Sequence, residues 1–68
     1  MPTLEERRSS ARRQVEHGRA MIERHRGLIE RLKSEGRDTT AAQELLDSFE
    51  RTQKVFEYDF ADLMRRRF

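Results

Sequence analysis

The histidines are the first side chains to test for chemistry, and the chain has two, His17 and His25. Eight residues separate them, so on a helix they lie about 80° apart around the axis and more than about 10 Å apart along it. They cannot share a metal ion within one chain, and no cysteine is present to complete a zinc site. We therefore expect no metal and no cofactor. We interpret His25 as a partly buried packing residue, although a dimer axis could pair two copies of it.

Nucleophilic catalysis has no local support either. None of the serines lies in a Gly-x-Ser-x-Gly context, and none has a histidine at helical spacing to activate it. The three glycines are scattered, so they form no phosphate-binding loop. Most acidic residues stand three or four places from a basic residue, which is typical of a solvated helix surface. The sequence predicts a protein that is not an enzyme and has no small-molecule substrate.

Arginine is the one functional side chain that clusters. Seven arginines stand near the two ends of the sequence, and these are Arg7, Arg8, Arg12, Arg13, Arg65, Arg66 and Arg67. Arginine binds phosphate through paired hydrogen bonds, so these side chains are candidate contacts for RNA, DNA or an acidic protein segment. The other interpretation is a solvated basic tip, since nearby carboxylates can neutralise part of it. A direct approach of Arg8 to Arg67 is also expected, and this pair should repel.

The turn that brings these ends together is the clearest signal in the sequence. Gly36 follows a long periodic segment and suits the left-handed position just after a helix. Asp38, Thr39 or Thr40 can then accept the free amide groups at the start of a second helix. With Thr40 as the cap, Gln43 would complete a capping box.

Periodicity predicts helices over about residues 4–35 and 40–66. Thr3 followed by Glu6 is a capping box that begins the first helix. Apolar residues recur along both segments in alternating steps of four and three, which keeps one stripe against a partner helix. The sequence therefore predicts one all-α domain over residues 1–68, an antiparallel two-helix hairpin.

The seam of this hairpin pairs positions whose numbers sum to about 74 or 75. The residues expected to set its packing and register are Gly18, His25, Phe49, Gln53, Phe56 and Phe60. Phe56 would face Gly18 and offset the ~1 kcal/mol that glycine costs a helix; otherwise the glycine is merely tolerated. Gln53, the polar residue of the stripe, would face Ile22. It is either a determinant of register or a partly exposed side chain.

The apolar stripe is wider than a two-helix seam needs, because Met21, Leu28, Leu45 and Val55 flank it. Such width is typical of a four-helix bundle, and twofold symmetry is the commonest form of a small homo-oligomer. We therefore expect a homodimer of two hairpins. Residues 1–13 are expected to fray, since arginines interrupt the stripe there.

Composition narrows the class of protein. Hydrophobic residues are 34% and charged residues 41% of 68 residues, and a chain of this length buries a thin core. The net charge is only +2, despite a pI of 9.7, which is weak support for a nucleic-acid partner. No apolar run approaches the ~18 residues of a membrane span, and no leader is recognisable, so a cytoplasmic bacterial protein is expected.

Part of the chain resembles a group of short uncharacterised bacterial proteins. The segments that carry the resemblance are 22–32 (IERHRGLIERL), 36–39 (GRDT), 42–46 (AQELL) and 49–50 (FE). The group's pattern is I-x-x-Q-R-x-x-I-x-x-L, then G-x-D-T, then A-x-x-L-L-x-x-F-E, and His25 stands here in place of its glutamine. The resemblance covers residues 22–50 and implies a helical hairpin without a known activity. The predicted architecture also resembles that of a small plasmid-encoded RNA-binding dimer.

Together these features predict a non-enzymatic interaction module, homodimeric and binding another macromolecule through its outer helix faces. A protein is the partner that we favour. The alternative is an RNA- or DNA-binding four-helix bundle that uses the arginine cluster.

Overall fold

The protein is an antiparallel helical hairpin. The computed structural model describes residues 1–66, and its two α-helices are α1 (Leu4–Ser34) and α2 (Thr40–Arg65). They pack side by side in a rod 54 Å long, and none of residues 1–66 lies in a strand. The predicted hairpin is confirmed, and each helix ends one residue earlier than expected. Arg67, whose approach to Arg8 was predicted, lies outside the described residues.

Helix α1 begins at the predicted capping box. The hydroxyl of Thr3 accepts a hydrogen bond of 3.1 Å from the Glu6 amide, and the Glu6 carboxylate accepts one of 3.4 Å from the Thr3 amide. Two amide groups that the first helical turn leaves unpaired are satisfied in this way. The expected fraying of residues 1–13 stays a prediction, since it concerns motion.

Helix α1 ends in a Schellman turn. Gly36 has a φ of +69°, the left-handed conformation predicted for it. The Arg37 amide donates to the carbonyl of Leu32 at 2.9 Å, and the Gly36 amide donates to the carbonyl of Lys33 at 3.0 Å. Glycine is needed at this position because a Cβ atom would strain the left-handed backbone.

The start of α2 differs from its predicted capping box. Thr39 is the residue that precedes the helix, its side chain makes no capping bond, and Thr40 already lies in the first turn. Asp38 accepts hydrogen bonds from the Thr40 amide at 3.0 Å and from the Thr40 hydroxyl at 2.7 Å. Both bonds lower the pKa of the Asp38 carboxyl, and the bond from the Thr40 amide has the larger effect. A charged carboxylate is a better acceptor than a hydroxyl at a helix N-terminus, so Asp38 replaces the expected Thr40–Gln43 pair.

The core is a single row of side chains between the helices. Its most buried members are Val15, Ile22, Ile29, Leu46, Gln53 and Leu63. Ile22, Ile29 and Leu46 form one cluster, with Ala42 and Phe49 packed against it. The seven-residue spacing of the three buried α1 residues keeps them on one stripe of the helix.

His25 meets Phe49 as predicted. The two rings pack edge to face with their centroids 5.4 Å apart. The Nε2 atom of His25 lies 2.8 Å from the carbonyl oxygen of Ala42. A carbonyl can only accept, so this nitrogen carries the proton and donates it. His25 therefore ties α1 to the first turn of α2 beside the hairpin turn.

Gln53 is the buried polar residue of the seam, and it takes the position beside Gly18 that was predicted for Phe56. Its side chain is only 6% exposed, and its Nε2 atom donates a hydrogen bond of 2.9 Å to the backbone carbonyl of Val15. Gly18 stands three residues after Val15, and a Cβ atom there would collide with the Gln53 amide, lying 2.8 Å from its Cδ atom. The group nearest to Gly18 is therefore the amide of Gln53 and not the expected Phe56 ring, which lines the same groove. Gln53 also lines a groove together with Ile22, the residue that it was predicted to face, and its amide reaches back from there to the Val15 carbonyl.

We predict that Gly18→Ala destabilises the protein although alanine favours helices. The added methyl group would expel the Gln53 amide and break its bond to Val15, an overpacking cost of about 2 kcal/mol. Gly27→Ala is the matched control, because nothing lies within 4 Å of a Cβ atom there. That change should stabilise the protein by up to ~1 kcal/mol. Urea unfolding followed by circular dichroism at one protein concentration measures both.

A double variant tests the cause of the loss. With Gln53→Ala already in place, the same Gly18→Ala change should no longer destabilise, since the colliding amide is gone. Equal gains from both alanine substitutions in the parent protein would contradict the Gly18–Gln53 contact.

Candidate interaction surface

One long face of the hairpin is closed by charged pairs between the helices, and we call it the bridged face. Arg19 forms a 2.8 Å ion pair with Glu57, and Arg26 approaches Glu50 at 3.7 Å. These side chains remain 39–67% exposed, so each pair contributes little by itself. Along the same edge the guanidinium of Arg12 lies 5.9 Å from the centre of the Phe60 ring. Charged side chains therefore bridge the helices on this side, and the groove that remains between them, which reaches Ile22 and Gln53, is rimmed mainly by charged residues.

A basic row on α1 and an acidic row on α2 explain why ion pairs form along the bridged face. Basic residues repeat every seven positions along this edge of α1, at Arg12, Arg19, Arg26 and Lys33. The facing edge of α2 carries Glu50 and Glu57, also seven residues apart. Because a heptad keeps equivalent positions on one side, the two rows meet along the hairpin. Sequence reasoning missed these pairs, although the two repeats of opposite sign were a readable signal.

The opposite side of the hairpin, which we call the open face, has no such cover. Two adjoining shallow grooves run along it, and their apolar lining consists of Met21, Leu28, Leu45, Phe49 and Phe56. The grooves share Met21 and Phe49, so the apolar surface is continuous between them. Leu45 is 47% exposed, and the other four are half-buried. This face holds three of the four residues that were expected to flank the seam.

The open face is where the packing of the hairpin is incomplete. Among residues 1–66 no large side chain is completely buried, and Phe49 and Phe56 on this face both keep contact with solvent. Val55, the fourth predicted flanking residue, is 58% exposed. It stands seven residues after Ser48, which lines a groove of the open face. Because contiguous apolar surface is a common feature of interaction sites, the open face is the candidate surface in this chain.

The arginine cluster is divided between different tasks. Arg8 donates through Nε to the carbonyl of Leu63 at 3.0 Å and through Nη2 to the carbonyl of Arg66 at 2.7 Å. Its side chain is 21% exposed. Carbonyls at a helix C-terminus lack partners within the helix, so this guanidinium caps the end of α2. Sequence reasoning proposed Arg8 as an anion contact and missed this role.

The remaining predicted anion contacts differ in how they are engaged. Arg65 and Arg66 both pair with Asp62, at 3.9 and 3.2 Å. Within residues 1–66, Arg7 and Arg13 form no salt bridge. Arg7 lines a groove together with Asp62 and other groups of both signs, so the end is not uniformly basic. Whether it binds an anion stays a prediction.

The histidines do not converge. His17 is exposed on the open face, where it lines a groove, whereas His25 is half-buried and bonded to Ala42. Among the described residues no three His, Asp or Glu side chains are grouped as metal ligands. Neither described helix has the length and apolar character needed to cross a membrane. Comparisons of the chain with protein-family models, curated proteins and solved structures return no match.

We predict that Arg8→Ala lowers the free energy of unfolding by about 1.5 kcal/mol, because it removes two charge-assisted bonds to the end of α2. Hydrogen exchange should speed up in the last turn of α2. Arg7→Ala is the matched control, an exposed neighbour without a salt bridge in the described chain, and should change stability by less than about 0.5 kcal/mol. Equal effects of the two substitutions would contradict the capping role of Arg8.

Proposed function

We propose that this protein is a non-enzymatic interaction module whose open face binds a second copy of the chain, giving a homodimeric four-helix bundle. The observation that carries the proposal is the difference between the two long faces. Ion pairs and a cation–π contact bridge the helices on one face, where the groove is lined mainly by charged residues, whereas the grooves of the open face leave five apolar side chains in contact with solvent.

A second copy suits the open face better than a polar partner would. Charged residues are depleted from the cores of protein interfaces. The groove at the centre of this face is lined by apolar side chains, hydroxyl groups, His17 and the amides of Gln14 and Gln53, and by no Asp, Glu, Lys or Arg among the described residues. In a twofold interface the same patch meets itself, so an apolar patch is complementary to its own copy. Burying it would add a second layer to a core that is one row deep.

The outer surface of such a dimer supports the second half of the proposal, a protein partner. Tyr58 is 74% exposed and Met64 is 45% exposed, and neither lines a groove of the open face. Tyrosine and methionine are enriched at protein interfaces. The dimer would therefore present apolar anchors outward among charged residues. We take the cytoplasm as its compartment, which fits a chain without cysteine.

We predict that Leu45→Glu shifts the protein from dimer to monomer, since it places a carboxylate in the centre of the proposed interface. The affinity should fall at least about 30-fold, equivalent to ~2 kcal/mol. Tyr58→Glu is the matched control, because it puts the same charge on an exposed residue of α2 that lines neither groove of the open face. Sedimentation velocity at micromolar concentration measures the mass of each protein.

The parent chain should sediment at twice its monomer mass of 8.2 kDa. A folded monomer for the parent protein would remove the dimer from the proposal. Loss of the dimer in Tyr58→Glu alone would move the interface to the outer surface of α2.

A second candidate function is nucleic-acid binding at the arginine end, favoured by Arg7 and Arg13, which form no ion pair within residues 1–66. We predict that any affinity for structured RNA or duplex DNA falls steeply between about 50 and 200 mM salt, because each phosphate contact releases counterions. Fluorescence anisotropy measures it, with Arg7→Ala/Arg13→Ala as the test variant. Absence of binding at about 50 mM salt would remove this function and leave the protein-binding module.

A further inference from the structure

The two helices carry opposite net charges. Helix α1 has nine basic and five acidic residues, a net charge of +4, and α2 has three basic and six acidic residues, a net charge of −3. The described turn between them does little to change this contrast, since Glu35 and Asp38 stand there with Arg37. Within one chain the contrast drives the bridged face together. Between two chains it distinguishes the possible arrangements of a dimer.

Two open faces can pack against each other with twofold symmetry in two ways. If the axis runs along the helices, both turns lie at the same end, and α1 of each copy lies against α2 of the other. If the axis runs across the helices, the turns lie at opposite ends, and α1 lies against α1 while α2 lies against α2. The same apolar side chains are buried in either case, so burial alone does not choose between them.

Charge does choose. When the axis runs across the helices, the two α1 helices, each with a net charge of +4, lie against each other, and so do the two α2 helices, each with a net charge of −3. This arrangement also brings Arg24, which lines a groove of the open face, within about one helical turn of the partner's Arg24 when the apolar segments are centred. When the axis runs along the helices, each basic helix α1 lies against the acidic helix α2 of the partner. Like charges placed across an interface penalise a wrong arrangement, whereas opposite charges favour the right one.

We propose that α1 of one copy lies along α2 of its partner, with both turns at the same end of the bundle. This arrangement rests on the proposed dimer. Leu28 lies opposite Leu45 of the partner subunit, at about the same position along the bundle axis. This contact continues the apolar surface across the interface. At the rim Arg31 comes opposite Glu44 of the partner subunit. The nearest like-charged approach is Arg24 with Arg51 of the partner subunit, and both side chains are exposed and can turn away.

One consequence is a bundle with two different ends. The Schellman turns of both copies form one end, and the Arg8-capped helix ends form the other. Arg7 and Arg13 of the two copies then lie at the same end, so an anionic partner would meet both pairs at once. In the other arrangement each end of the bundle would carry one pair.

The absence of cysteine makes cross-linking a clean test. Leu28→Cys and Leu45→Cys proteins are prepared separately, mixed, allowed to exchange and oxidised. The proposed arrangement yields a mixed disulfide between position 28 of one chain and position 45 of the other. A Leu28→Cys and His17→Cys mixture is the matched comparison, since those positions meet only if α1 packs on α1. Mass spectrometry identifies the products, and circular dichroism checks that each variant is folded.

A mixed 28–45 disulfide as the dominant product supports the arrangement. A dominant 17–28 disulfide overturns it and leaves the dimer standing. Absence of both products, with a monomer mass in sedimentation, removes the dimer itself and hence the proposed function. The three outcomes therefore separate failure of the arrangement from failure of the dimer.

A charge-reversal pair gives a second, independent readout. Arg31→Glu should raise the dimer dissociation constant about fivefold, because two rim pairs of the dimer become repulsive. Adding Glu44→Arg should restore the parent value. If the second substitution gives no recovery, these two residues do not face each other and the arrangement is wrong.

Discussion

The hydrogen bond from the Gln53 amide to the Val15 carbonyl depends on a backbone without a side chain at Gly18. A buried amide needs a partner. Every helix carbonyl keeps a second lone pair, but a side-chain donor can reach it only where a neighbouring side chain does not block the approach. We propose that this requirement favours the observed height of α2 along α1. A slip by one turn would bury the amide unpaired, so the apolar rows and the rows of charge meet at one register.

That register gives the hairpin two unlike faces. It sets Arg19 against Glu57 and Arg26 against Glu50, which closes one side with exposed ion pairs. On the other side the same pairing brings Met21 beside Phe49 and leaves them half-covered. Each ion pair is weak, so its main effect is to decide which side is closed. The proposed dimer follows from this asymmetry and from the opposite charges of the helices.

The arginine end shows how one residue type serves several purposes. Arg8 completes the hydrogen bonding at the end of α2, Arg12 lies over Phe60, and Arg66 pairs with Asp62. Only some of the clustered arginines are therefore open to a ligand. A count of basic residues along the chain overstates the charge available at that end, because the fold uses part of it internally.

The sequence by itself determined the two helices, the capping box at Thr3 and the turn at Gly36, because these depend on periodicity and on contacts within a few residues. It also indicated the pairing of His25 with Phe49. Only the tertiary structure decided that Gln53 faces Gly18 and that Arg8 caps α2. Those contacts join residues 35 and 55 positions apart, and their geometry depends on helix rotation and register that no local pattern specifies.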